Sequence, residues 1–265
     1  MLLAIHIGNR AISLAVYETD SPSRPAAERL RFCAEISTKP IRSSDEYAVL
    51  LGQIFSLRGS PPETITDVIL SSVVPSLTEV INAAAAQFIP VRPLIVSTGV
   101  KTGLRIRIDN PSQLGADLCA LAVGASAYCT GPAIIASFDS ATALTVLSSP
   151  GELAGVVIMP GLQSAAQALD RDTALLTDIP LEAPRRVIGK NTADAMKSGL
   201  LFGSAAQIDG MVSRIAAELN LSVSDLTLLS CGRYAGRITP YCTSPFTEMP
   251  HLLFEGLLTI HEKNR

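Results

Sequence analysis

Apolar residues fill positions 1–7 with a single polar interruption at His6, the pattern of a buried strand. Residues 11–18 alternate instead, with Ile12, Leu14 and Val16 on one face, which predicts a half-exposed strand. Gly8-Asn9 between them predicts a tight turn. Residues 21–25 read as loop. Residues 44–57 have helical spacing, with Ser44 or Asp45 as the expected N-cap. Residues 68–74 predict a strand that ends at Pro75, residues 77–87 a helix, and residues 94–97 a short strand. Residues 111–128 predict one helix rich in small residues, irregular at Gly115.

The second half repeats the theme. Residues 133–138 predict a strand, 139–142 a turn of small residues, and 143–148 and 154–159 two more strands around the turn Pro150-Gly151. After Pro160-Gly161 the spacing predicts a helix over 162–170, then one long helix over 192–219. Gly199, Gly203, Ala206 and Gly210 line that helix with small residues, which allows another helix to approach closely, either within the chain or across a dimer seam. Residues 226–230 predict a strand before Cys231-Gly232, and residues 252–263 a closing helix. Two strand–turn–strand units, each opening a β/α half, predict a duplicated α/β fold with a ligand in the cleft between the halves. The expected division is 1–115 and 116–265.

Composition narrows the function classes. The 265 residues suit one large domain or two small ones. Hydrophobic residues make up 48% and charged residues 17%, with a mean hydropathy of +0.34, which predicts extra buried surface such as a subunit interface. Charges and turn residues interrupt every run of about 18 apolar residues, so no membrane span is expected. The net charge of −3 without a basic block argues against nucleic acid. The first residues lack a basic segment and a cleavage site, so a cytoplasmic location is expected. Five cysteines without CxxC spacing predict reduced thiols rather than a disulfide or zinc framework.

The chemistry most in keeping with this pattern is phosphoryl transfer to a small molecule. It needs backbone donors for the phosphates, carboxylates to hold Mg2+, and a base near the acceptor hydroxyl. The Gly8-Asn9 turn and the turn at 139–142 are the two candidate phosphate cradles.

The stretch Ser71-Ser72-Val73-Val74-Pro75-Ser76-Leu77-Thr78 resembles the type III pantothenate kinases. So do Thr102-Gly103-Leu104, Asp109-Asn110-Pro111 and Gly115-Ala116-Asp117. Pro160-Gly161-Leu162, Thr173-Ala174-Leu175-Leu176, Ile188-Gly189-Lys190-Asn191-Thr192, Ala195-Met196, Ser198-Gly199 and Asp209-Gly210 are similar to the same family, as are Phe254-Glu255-Gly256-Leu257 and Asn264. The resemblance runs in order through almost the whole chain. It implies an acetate-and-sugar-kinase/actin-like α/β fold of two ribonuclease-H-like domains with a cleft between them. It implies a homodimer that uses ATP, Mg2+ and a monovalent cation (K+) to phosphorylate pantothenate, the first step of coenzyme A synthesis. By the same resemblance Asp117 is the base, Gly8, Asn9, Ser140, Thr142 and Gly232 serve the nucleotide, and Gly103, Gly115 and Thr173 serve pantothenate, Thr173 from the partner subunit.

The departures from the family pattern cluster in these motifs. The family's Asp-x-Gly-Asn-Thr is His6-Ile7-Gly8-Asn9-Arg10 here, and its Asp-Phe-Gly-Thr-Ala-Thr is Ser137-Phe138-Asp139-Ser140-Ala141-Thr142. Leu118 stands in place of an Arg after the base, Ile108 in place of a Tyr, Gly155-Val156 in place of Gly-Gly, and Cys231-Gly232 in place of the Gly-Gly of the adenosine motif. His6, Arg10, Ser137, Asp139 and Leu118 are therefore degenerate positions, and the sequence names no metal ligand set. His6 reads as a core residue or an anion contact, and Arg10 as a solvated turn residue or an anion contact. The leading expectation is a degenerate or regulatory subunit that pairs with itself or with an active relative. One alternative is an active kinase with rearranged ligands, in which Asp139 shares the face of Ser137 and Asp117 is the base. Another is a non-enzymatic ligand sensor. ATP, Mg2+ and K+ are expected if the chain is active, and none of them need bind if it is not.

Overall fold

The computed structural model describes residues 1–21, 23–172 and 180–265, with backbone alone for 170–172. In chain order the elements are β1 (Leu2–Ile7), β2 (Ala11–Tyr17), α1 (Ala26–Arg29), β3 (Leu30–Ser37), α2 (Ser44–Leu57), β4 (Asp67–Ser72), α3 (Pro75–Ala86), β5 (Leu94–Ile95), β6 (Arg105–Ile106), α4 (Ala116–Ala125), β7 (Ala133–Phe138), β8 (Ala141–Ser149), β9 (Glu152–Pro160), α5 (Leu162–Asp172), α6 (Thr192–Glu218), β10 (Thr227–Cys231), α7 (Ala235–Ile238), β11 (Thr247–Glu248) and α8 (Leu252–Lys263). The chain divides into two compact units: residues 1–103, 109–124 and 251–265, and residues 104–108 and 125–250. Most of α4, and all of α8, thus belong with the first unit, whereas a division at 115/116 assigns them to the second half.

The first unit is built on a sheet of order β3-β2-β1-β4-β5, with β1 antiparallel to β2 and parallel to β4. Its core gathers Leu3, Ile5 and Ile7 of β1 with Tyr47, Leu51 and Phe55 of α2 and Leu77 and Ile81 of α3. Strand β3 has no clear period in sequence, because most of its residues are only partly buried; pairing with β2 makes it a strand. The N-cap of α2 is Ser43, not Ser44 or Asp45. Its side chain accepts from the Glu46 amide and Glu46 reaches back to the Ser43 amide at 2.8 Å, a capping box that only Ser43 can form because Glu46 lies three residues on. Strand β4 stops at Ser72 because Pro75 opens α3, and the Ser72 hydroxyl accepts from the Val74 amide at 3.1 Å and the Thr78 hydroxyl at 2.8 Å.

The single helix expected over 111–128 is two pieces. Asn110 caps a short 3-10 turn at Pro111–Gln113, and α4 starts only after Gly115. Helix α4 packs on α8 through glycines. A Cβ on Gly256 would strike the Ala120 carbonyl, and one on Gly124 would strike the Leu252 carbonyl. Beyond α8, Asn264 accepts from the Lys101 amide at 3.1 Å and donates to the Lys101 carbonyl at 2.8 Å. Such a two-point clasp ties the 101–103 segment to the closing helix.

The second unit has the order β11-β10-β7-β8-β9-β6. Leaving β6 aside, β9-β8-β7-β10-β11 repeats the arrangement of β3-β2-β1-β4-β5. In each, the central strand is antiparallel to its hairpin partner and parallel to the next strand. The duplicated rhythm of the sequence is therefore a duplicated sheet. Ile134, Ala136 and Phe138 of β7 pack with Leu200, Leu201, Ile208 and Val212 of α6. On α6 a Cβ at Gly199 or Gly203 would meet nothing within 4 Å, so those two glycines make no close intrachain packing with described residues.

Asp209, halfway along α6, accepts the amides of Thr243 at 2.7 Å and Ser244 at 2.9 Å. Burial alone would raise its carboxyl, but these hydrogen bonds outweigh it and hold the group below the usual carboxylate range. A depressed carboxyl stabilises the fold above its unfolded value and loses that contribution as pH falls through the folded one. We expect Asp209→Asn to cost about 1.5–3 kcal/mol at neutral pH. The gap from the native chain should close below roughly pH 4, measured by thermal melts across a pH series. A gap that stays constant with pH would contradict the role.

Candidate functional site

In the first unit the hairpin between β1 and β2 closes with the Gly8 amide donating to the Ala11 carbonyl at 2.9 Å. The Thr38 hydroxyl donates to the Asn9 carbonyl at 3.0 Å and the Thr38 amide to the Arg10 carbonyl at 3.0 Å, so the end of β3 braces the turn. His6 pairs in register with Ser71 of β4, and its Nδ1 lies 3.4 Å from the Ser71 hydroxyl. The Nε2 edge of the ring lies 3.3 Å from where a Cβ on Gly8 would sit. The side chain at the degenerate position is thus half-buried, tied to a neighbouring strand, and turned against the glycine of the cradle.

Asp117 lies in the first turn of α4, where the positive end of a helix favours a carboxylate. Its carboxylate lies where a Cβ on Gly115 would be, so Gly115 leaves the room that Asp117 occupies. Burial first, then the Asp117 charge, push the Cys119 thiol up to about 11, which keeps it a neutral neighbour. Leu118 is half-buried and offers no charge. Gly103 has φ +77, and Lys263 Nζ from α8 lies 3.0 Å from the position of its missing Cβ. Neither Ser71 nor Lys263 was suggested by spacing alone, because each reaches its partner through a pairing far apart in sequence.

In the second unit the turn is shorter than expected. Thr142 is a residue of β8, paired with Phe138 and Met159 and buried, so only Asp139 and Ser140 form the bend. The Asp139 amide donates to the Ala141 carbonyl at 3.0 Å. Gly161 packs its Cα on the carbonyls of Asp139 and Ser140, and the Ser164 hydroxyl donates to the Ser140 carbonyl at 2.9 Å. Gly232 has φ +92, and a Cβ there would lie 2.7 Å from the Phe138 carbonyl and 2.8 Å from Asp139 Oδ2. Gly232, Ser140 and Asp139 therefore do converge. The expectation that Asp139 continues the face of Ser137 is corrected, because β7 ends at Phe138. The Asp139 carboxylate accepts the Arg233 amide at 3.2 Å. Ser137 is buried, and its hydroxyl donates to the Ala143 carbonyl of its own hairpin at 3.5 Å. Thr173 lies outside the described residues.

Residues 2–214 match the family described as "Type III pantothenate kinase". The chain belongs to the type III pantothenate kinase family. A type III pantothenate kinase of Roseiflexus sp. (strain RS-1) is 38% identical over 265 residues, covering 100% of both chains. One of Geotalea daltonii is 33% identical over 265 residues, 100% of this chain and 99% of the relative. Among solved structures, a protein assigned as a 2-dehydro-3-deoxygalactonokinase, from Sinorhizobium meliloti, superposes with a TM-score of 0.60 at 12% identity, covering 100% of this chain and 99% of that one. The last likeness carries the fold, which is that of the acetate and sugar kinases. Against the family's own motifs, the strand ends of β1 and β7 carry an imidazole and a hydroxyl rather than carboxylates. Among the described residues no helix is long and apolar enough to cross a membrane, and no three His, Cys, Asp or Glu side chains cluster as a metal site.

Proposed function

We propose that this chain is a pantothenate-binding member of its family whose own phosphoryl transfer is degenerate, serving as a regulatory or completing subunit. The family reaction moves a phosphoryl group from ATP to pantothenate, at the start of coenzyme A synthesis. The observation that carries the reading is the fate of the strand-end carboxylates. His6 leans on Ser71, Ser137 hydrogen-bonds within its hairpin, and Asp139, the carboxylate best placed in sequence to compensate, binds the Arg233 amide. Management of the charge on a transferring phosphate is usually the largest catalytic contribution, and each decade of rate corresponds to about 1.4 kcal/mol. Self-pairing through α6 is supported by the open Gly199 and Gly203 positions. Pairing with an active relative is the alternative form of the same proposal.

Purified chain supplied with ATP, Mg2+, K+ and pantothenate should form phosphopantothenate at least about a thousandfold more slowly than an ordinary kinase at roughly 1–100 s−1. Mass-spectrometric detection of the product decides it, and turnover inside that range would overturn the proposal. A second reading, an active kinase with rearranged ligands, has one observation in its favour: Asp117 keeps its helix N-terminus and the space that Gly115 leaves. Under that reading Asp117→Asn abolishes turnover.

A further inference from the structure

We infer that His6 contacts a phosphate of the nucleotide directly, so that the Gly8-Asn9 turn holds it without a divalent cation. The inference rests on the kinase-family reading and deepens it. Mg2+ demands oxygen ligands in near-octahedral geometry and is ordinarily held by one or two carboxylates beside the phosphates. The donors at the end of β1 are the His6 imidazole and the hydroxyl of Ser71, and the end of β7 offers the Ser137 hydroxyl. Imidazole suits softer metals. The residues at these strand ends do not fit a divalent cation, and no step is assigned to one.

They do fit an anion. A carboxylate beside the turn repels a phosphate unless a cation lies between them. An imidazole N–H attracts it without an intermediary. Ser71 is fully buried, and its hydroxyl faces His6 Nδ1 at 3.4 Å. With that hydroxyl donating to Nδ1, the ring proton sits on Nε2, the edge against Gly8. Gly8 carries no side chain to cover that edge, and a Cβ there would stand 3.3 Å from Nε2. Arg10, two residues on in the same turn, adds a second positive side chain. The substitutions that remove the metal anchor therefore also install positive donors at one place.

The test is calorimetric titration of ADP into the full chain, in EDTA and in excess Mg2+, for the native protein, His6→Asp and His6→Gln. Native affinity should differ by less than about threefold between the two conditions. His6→Asp should lose at least about tenfold in EDTA (about 1.4 kcal/mol) and recover in Mg2+, because a carboxylate needs the cation. His6→Gln, which keeps an N–H donor, should stay near native in both. A merely structural His6 would shift affinity equally with and without metal, which would overturn the inference. So would native binding that collapses in EDTA, or no ADP binding in either condition. If His6→Asp fails to fold, as read by its melting temperature, native and His6→Gln titrations still decide. Rapid phosphopantothenate formation would sink the degenerate-subunit reading and leave this inference standing, because binding is read without turnover.

Discussion

In the double variant His6→Asp, Ser137→Asp, Mg2+ raises ATP affinity by about 10–100-fold, against a small effect in the native chain. Each substitution returns a carboxylate to a strand end, one at the close of β1 and one near the close of β7. A charge-assisted contact is worth about 1.5–3 kcal/mol, and each 1.4 kcal/mol is tenfold in affinity. The lower bound corresponds to one such contact, with the second partly spent on desolvating the carboxylates. That cost is specific to the second position. Ser137 is only 8% exposed, between Ala143 and Cys231 in the sheet, so an aspartate there sits in a poor environment for charge. The double variant should therefore melt below the native protein without ligand and regain stability when ATP and Mg2+ are added. Calorimetry with and without Mg2+ gives the affinity, and melting curves give the linkage. A metal response no larger than the native one would mean that the strand ends no longer control metal binding, and would shift attention to Val156.

Replacing Gly256 by alanine should destabilise the protein by about 3 kcal/mol, the upper part of the usual range for overpacking. The expected fall in melting temperature is roughly 6–12 °C for a chain of this size. Helix α8 meets α4 so closely that a Cβ on Gly256 would strike the Ala120 carbonyl, a backbone atom that no rotamer change can move away. Relief requires the helices to separate, and α8 also supports the Asn264 clasp on Lys101 and the Lys263 contact at Gly103. Gly52→Ala is the matching control. Gly52 lies inside α2 with nothing within 4 Å of its Cβ position, so alanine should stabilise by about 0.5–1 kcal/mol. Equal melting temperatures for the two variants would show that the α4–α8 approach is not tight.

Much of this molecule was legible before any coordinates. Buried runs and alternation placed β1, β2 and β7, because strands in a sheet read as period two or as continuous apolar runs. The Gly8-Asn9 bend and the long α6 were equally plain, since turn glycines and helical spacing are local properties. The family was legible too, from motifs scattered in order along the chain. Strand β3 was not, because its half-buried residues carry no period, and the break before α4 was hidden by a sequence that is helix-compatible on both sides of Gly115. The two-turn symmetry was visible, but its depth was not: strand order is a matter of pairing partners, which local pattern does not encode.

The candidate site divides along the same line. Sequence alone determined that His6 and Ser137 occupy the strand ends where the family has carboxylates, since identity and position are written in the chain. Only the tertiary structure decided what became of their surroundings. The register of β1 with β4 sets His6 against Ser71, and the approach of the 232–234 backbone claims Asp139 through the Arg233 amide. Asp139 and Ser137 are two residues apart and share a face only if a strand runs through both. The chain bends after Phe138 instead, because Gly161 and Gly232 press on the turn from elements that sequence proximity does not reveal.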